Sequence, residues 1–237
     1  MPEVIFNGPD GRSEGRYHRS EVKNAPAAII LHPHPLHGGT MNNKVVYNLY
    51  HSFARNGFSV LRFNFRGVGR SQGKFDHGIG ELNDAASALD WLQLQNPNAS
   101  TFWMGGFSFG SWIGMQLLMR RPEIQGFISV SPPAGSYDFN FLSPCPASGM
   151  VIQGDQDSIV AENDVAKLVE KLGRQKNTEI DYEVIMGADH FFRNRLDELN
   201  LNLDGYIKKR LRNDASRPKR VKPDRRRRQH PQDDLLG

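Results

Sequence analysis

Cysteine is almost absent from this chain: Cys145 is the single example in 237 residues. One thiol excludes an intramolecular disulfide and any structural zinc site built on several thiolates. Long apolar runs are missing as well. No stretch of about 18 apolar residues occurs, so no segment reads as a membrane-spanning helix. The first residues, Met1-Pro2-Glu3-Val4, carry neither the basic start nor the apolar stretch of a secretory signal. These absences lead to the expectation of a cytoplasmic protein.

What is present suits one folded domain. Hydrophobic residues make up 38% and charged residues 24%, enough at this length to bury a full core. The charge is unevenly spread. Residues 1–207 hold 18 Lys/Arg against 22 Asp/Glu, while residues 208–237 hold 12 against 4. The basic balance therefore belongs to the end of the chain. Arg217 to Leu236 joins three prolines to the run Arg225 to Arg228 with few apolar residues, and such a segment cannot offset its ordering entropy. The expected division is a folded domain over 1–213 and a basic, disordered tail over 214–237.

Within the domain, short apolar runs alternate with amphipathic segments. Strands are predicted at Ala27–Leu31, Phe58–Phe63, Thr101–Met104, Phe127–Val130, Met150–Gln153 and Ile180–Ile185. Helices are predicted at Val45–Arg55, Ile79–Leu94, Phe109–Arg120, Glu162–Leu172 and Leu196–Leu211. Asn56-Gly57, Asn96-Pro97, Arg121-Pro122 and Gly173 separate them. Val4–Phe6 and Gly15–His18 read as a leading hairpin. This alternation implies an α/β fold, a mostly parallel sheet covered on both faces.

Gly106-Phe107-Ser108-Phe109-Gly110 fits G-x-S-x-G between a predicted strand and a predicted helix. There a sharp turn presents the serine, and flanking glycines avoid clashes with neighbouring backbone. A serine hydroxyl needs a base at neutral pH. His190 follows the strand Ile180–Ile185 and supplies one. An acid belongs between them in chain order, and Gly154-Asp155-Gln156-Asp157 offers two. Spacing alone does not choose between Asp155 and Asp157. All three elements fall at the C-terminal ends of strands, where a parallel sheet holds its site.

The chain resembles the α/β-hydrolase superfamily. Three further segments carry the likeness: His32-Pro33-His34-Pro35-Leu36-His37-Gly38-Gly39-Thr40, Arg62 to Ser71, and Gly187-Ala188-Asp189-His190-Phe191-Phe192. They are similar to a bacterial branch of small serine hydrolases related to dienelactone hydrolases, esterases and peptidases. The resemblance covers about residues 1–210. It implies an α/β-hydrolase fold and a Ser108–Asp157–His190 triad, since the second aspartate of the family's Gly-Asp-x-Asp pattern is the acid. Dienelactone hydrolases carry cysteine where this chain has Ser108, which argues against lactone specificity.

An oxyanion needs two N–H donors. Phe109, directly after the serine, supplies one. In related hydrolases the second comes from the loop after the strand Ala27–Leu31. Pro33 and Pro35 have no N–H, so the His34 backbone is the expected donor. His32, His34 and His37 also allow a metal reading. The interspersed prolines and the lack of a nearby carboxylate speak against it, and no metal is expected. Gly67-Val68-Gly69-Arg70-Ser71-Gln72-Gly73 has its third glycine one position late for a dinucleotide fingerprint, so no cofactor is expected either. Cys145 lies between two prolines, with no strand–helix elbow around it.

Only 49 positions separate Ser108 from Asp157, too few for a large cap domain. An open site edged by Tyr137, Phe139, Phe141 and Leu142 is expected, although those side chains serve a core equally well. The function these features imply is a serine hydrolase cleaving a carboxylic ester of a small molecule. A peptidase or thioesterase with the same triad is the close rival. Binding of nucleic acid or an acidic partner through the tail is a separate and less favoured reading, and with no aromatic residue there to stack on bases any nucleic-acid contact is expected to be unspecific.

Overall fold

The computed structural model describes residues 2–176 and 178–216. Its eight strands are β1 (Glu3–Gly8), β2 (Gly11–His18), β3 (Ala27–Leu31), β4 (Ser59–Phe63), β5 (Phe102–Phe107), β6 (Ile124–Val130), β7 (Gly149–Gly154) and β8 (Ile180–Ile185). Five helices join them: α1 (Lys44–Arg55), α2 (Ile79–Gln95), α3 (Phe109–Arg120), α4 (Glu162–Gly173) and α5 (Leu196–Ser216). The sheet order is β1-β2-β4-β3-β5-β6-β7-β8. The β1–β2 hairpin and its join to β4 are antiparallel, and every other pairing is parallel.

Strand β3 shows why the sheet is covered on both sides. All five of its residues are buried. Ala27, Ile29 and Leu31 join one core with side chains of α2, α3 and α4. Ala28 and Ile30 join the other, with α1 and α5. That is the period of two expected of a strand between two helical layers. The helices begin and end where the sequence has stop signals. Asn43 caps α1 by accepting the Val45 N–H at 2.9 Å, and Gly57 leaves it with φ 85°. Glu81 turns back to accept the N–H groups of Gly78 and Asp76 at the start of α2.

Most predicted boundaries move by one or two residues. Larger changes are the earlier starts of β2 and β6, the later end of α5, and strand β5, which runs three residues beyond Met104 to Phe107. Gly105 and Gly106 are both buried in the sheet. A Cβ on Gly105 would stand 2.9 Å from Ile30, so the glycine is there for close packing. Strand β8 is an edge strand, and five of its six residues are only partly buried. Helix α5 continues past Leu211 to Ser216, so the boundary set at Asn213 falls inside it. Of the disordered tail expected over 214–237, residues 214–216 form the end of this helix, and residues 217–237 lie outside the described residues.

Between β6 and β7, residues 131–148 contain no helix or strand, which leaves no cap domain. Of the side chains expected to edge the site, Phe139 and Leu142 are core residues at 6% and 1% exposure. Only Tyr137 and Phe141 stay partly open.

Candidate active site

Ser108 is the turn between β5 and α3. Its φ of 54° and ψ of −122° are unusual for a residue with a side chain. The turn persists because its surroundings fix it. The Ser108 N–H donates to the Val130 carbonyl at 2.9 Å, and Ser111 Oγ donates to the carbonyls of Gly106 and Val130. A Cβ on Gly106 would lie 2.6 Å from the Gly110 carbonyl oxygen, and one on Gly110 would strike the carbonyls of Leu31 and His32. Both glycines are therefore sterically required. Ser108 itself remains half-buried and reachable.

The loops after β7 and β8 close on each other. Gln156 N–H donates to the Ala188 carbonyl, and Asp155 N–H donates to that of Ile185. His190 Nδ1 lies 2.7 Å from Asp157 Oδ2. Asp157 Oδ1 accepts the N–H groups of Ile159 and Val160, each at 2.8 Å. Its side chain is wholly buried and that of His190 is 5% exposed. Burial acts to raise the Asp157 carboxyl, but His190 and those backbone donors outweigh it and hold it below its ordinary value. Asp155 faces another way. It is partly exposed, and its Oδ1 accepts the Gly187 N–H at 2.5 Å. The geometry thus pairs Asp157, and not Asp155, with His190.

The His190 ring stands 5.0 Å from that of Phe107, the residue before Ser108. No hydrogen bond joins Ser108 Oγ to His190 among the described residues, as is common before substrate tightens such a site. Phe192 holds the loop from below. It adopts φ 53° while fully buried, and that packing offsets the strain.

Gln153 is a residue that the sequence reading missed. Fully buried near the end of β7, it donates through Nε2 to Asp157 Oδ2 at 3.0 Å and to the Val160 carbonyl at 2.9 Å. An amide at the end of the buried run Met150–Gln153 was the available signal, because a buried polar group needs partners.

On the other side of Ser108 lies the loop after β3. The amides of Phe109 and His34 have no hydrogen-bond acceptor among the described residues. The His34 ring stands 5.0 Å from that of Phe109, so the loop borders the elbow. His32 is fully buried, and burial pushes its imidazole down to about 4. Its Nε2 accepts the Phe65 N–H at 3.0 Å, which leaves the proton on Nδ1, 2.7 Å from the Pro33 carbonyl. Both nitrogens are engaged. His34 and His37 stack on each other 4.3 Å apart. Among the described residues no three His, Cys, Asp or Glu side chains are grouped to hold a metal.

The glycine-rich turn after β4 is a structural corner. Gly67 and Gly69 take φ 71° and 58°. Arg66 is locked to Asp84 by paired bonds of 2.8 and 2.9 Å. Cys145 is buried, and burial pushes its thiol up, the opposite of an activated nucleophile. A hollow of about 570 Å³ lies beside the His190 loop, lined by Asn43, Lys44, Phe191, Arg193, Asn194 and Leu196.

An antiparallel hairpin leading into a parallel sheet, with a serine elbow after β5, defines the α/β serine hydrolases. Comparison with known proteins agrees. A family model described as X-Pro dipeptidyl-peptidase (S15 family) matches residues 21–143. A protein of Rickettsia prowazekii is 56% identical over 211 residues, spanning 87% of this chain and 89% of that one. A crystal structure from Agrobacterium tumefaciens, described as an α/β hydrolase of unknown function, is 58% identical. It superposes with a TM-score of 0.87 over 90% of this chain and 97% of that one. An α/β serine hydrolase without a lid from Xanthomonas campestris is 34% identical, with a TM-score of 0.79 over 88% and 94%. The chain belongs to the α/β-hydrolase superfamily and, within it, to the family described as X-Pro dipeptidyl-peptidase (S15 family). No helix among the described residues is long and apolar enough to cross a membrane.

Proposed function

We propose that this hydrolase cleaves a carboxylic ester through an acyl-enzyme on Ser108. Ser108 Oγ attacks the ester carbonyl while His190 Nε2 takes its proton, then returns it to the departing alcohol. Asp157 fixes the His190 tautomer and balances the imidazolium. The amides of Phe109 and His34 hold the oxyanion. Water, activated by His190, then releases the acid and restores Ser108. No step calls for a cofactor. The observation that carries this reading is the His190–Asp157 bond beside a strained serine elbow.

The family's description favours a second reading, a peptidase with the same three residues. A dipeptidyl-peptidase has to fix the free amino terminus of its substrate. The rings around Phe109 are those of His34, Phe65, Phe75, Trp112 and Tyr137, an aromatic surface that suits the apolar acyl group of an ester. A panel of chromogenic acyl esters, thioesters and aminoacyl-prolyl amides, run beside Ser108→Ala, tests both. Turnover of esters that vanishes in the variant supports the first reading, and turnover of the amides alone replaces it with the second.

A further inference from the structure

His32 is a fully buried imidazole that takes no part in the proton transfers above. It directly precedes the loop that carries His34. We propose that His32 is a positioning residue, whose neutral Nδ1–H tautomer fixes the Pro33–His34 peptide plane and so aims the His34 N–H at the oxyanion. This rests on the reading of His34 as an oxyanion donor.

The chain of bonds starts in the backbone after β4. The Phe65 N–H donates to His32 Nε2 at 3.0 Å. That nitrogen must offer a lone pair, so the ring proton sits on Nδ1. Nδ1 then donates to the Pro33 carbonyl at 2.7 Å. The one cis peptide bond among the described residues is Ser143–Pro144, so Pro33–His34 is trans. In a trans peptide the C=O and N–H point in opposite directions. Holding the Pro33 oxygen on the ring therefore turns the His34 N–H away from it, and that N–H has no acceptor among the described residues. The next peptide is held too, since the His34 carbonyl accepts the N–H groups of His37 and Gly39 at 3.1 and 3.0 Å. Gly39 packs so closely that a Cβ there would strike the Pro33 carbonyl.

Burial keeps the ring neutral, and a neutral ring is what the device needs. The Phe65 ring lies 4.6 Å away against it. A protonated His32 would carry donors on both nitrogens, and Nε2–H would oppose the Phe65 N–H.

Two substitutions divide the ring's two bonds. His32→Asn keeps a donor where Nδ1 stands and loses the acceptor for Phe65. His32→Gln keeps an acceptor where Nε2 stands and loses the donor to Pro33. The experiment measures kcat and KM on 4-nitrophenyl acetate, the melting temperature, and the rate at which a fluorophosphonate labels Ser108. An oxyanion donor is worth about 10²–10³ in kcat. His32→Gln should lose about 100-fold in kcat with KM changed less than about threefold, and His32→Asn less than about tenfold. The labelling rates should follow the same ranking. Equal losses, the reverse ranking, or losses that simply follow the melting temperatures overturn the proposal. If the wild type turns over no ester, the ester reading fails, and the labelling rates alone still rank the two variants. A ¹⁵N spectrum of the wild type showing the His32 proton on Nε2 overturns the proposal whatever the substrate.

Discussion

Asp157 Oδ2 and His190 Nδ1 meet at 2.7 Å although 33 positions separate the two residues. The other partners of Asp157 all come from its own strand and loop. Oδ1 is held by two backbone N–H groups and Oδ2 by the Gln153 amide. Such an acid pays little reorganisation when the imidazolium forms.

Asp157→Asn should therefore cost far more turnover than Asp155→Asn. An amide at 157 carries no charge and offers a donor to Nδ1, which favours the wrong tautomer. In a serine protease the same change costs about 10⁴ in kcat. Asp155 instead ties the Gly187 N–H to the turn, so its variant should lose melting temperature before turnover. Turnover per folded molecule of the two variants checks the ranking, and the reverse order would make Asp155 the acid.

Ser108→Ala should abolish hydrolysis and phosphonate labelling while the protein still folds. Ser108→Gly should be equally inactive but more stable than Ser108→Ala. The position needs φ 54°, where a residue with a Cβ is strained by about 1–3 kcal/mol. Glycine relieves that strain and gives part of it back as unfolded-chain entropy, leaving a gain of about 1 kcal/mol. Equal denaturation midpoints for the two variants would show that the elbow stores no strain.

Gly110→Ala should be among the most damaging single changes outside the reacting residues. Its Cβ meets the carbonyls of Leu31 and His32, backbone that cannot swing aside as a side chain would. A loss of at least about 2 kcal/mol is expected, by the logic of overpacking. Urea unfolding of the variant measures it.

The elbow and the strand–helix order were legible in the sequence because each rests on local spacing. G-x-S-x-G lies between two runs whose periodicity differs, and helix α3 falls where that change predicts. Gln153 was not legible as a support for Asp157, because their contact depends on where the loop after β7 turns. Phe139 and Leu142 were ambiguous for a related reason. An apolar side chain suits a core and a cleft equally, and only the path of residues 131–148 decides. The end of α5 escaped because Arg212, Asn213 and Asp214 interrupt its apolar stripe without being unable to form a helix.

A chain ending at Ser216 should retain its turnover of small esters. The residues that would be removed contain three prolines and few apolar side chains, and every residue assigned a role here lies before them. If the removed segment binds nucleic acid, that binding should weaken steeply with salt and disappear on truncation. Loss of folding in the shortened protein would make the segment part of the domain.

His32 should make stability depend on pH between its unfolded and folded values. Burial depresses its imidazole from 6.5 to about 4, so the unfolded chain binds a proton that the folded chain refuses. Stability from this group is complete above about 6.5. It declines as pH falls towards about 4, where the folded protein takes up the proton as well. A shift of this size corresponds to about 3 kcal/mol, at about 1.4 kcal/mol for each pH unit. Asp157, also depressed, adds a loss that begins as pH falls through the ordinary carboxylate value of 3.8 and continues towards its lower folded value. The two contributions therefore separate along the pH axis. Urea unfolding of the wild type between pH 7 and 4.5 should fall with a slope near one proton per molecule, and His32→Asn should flatten it. An unchanged slope in the variant would assign the proton to a different group.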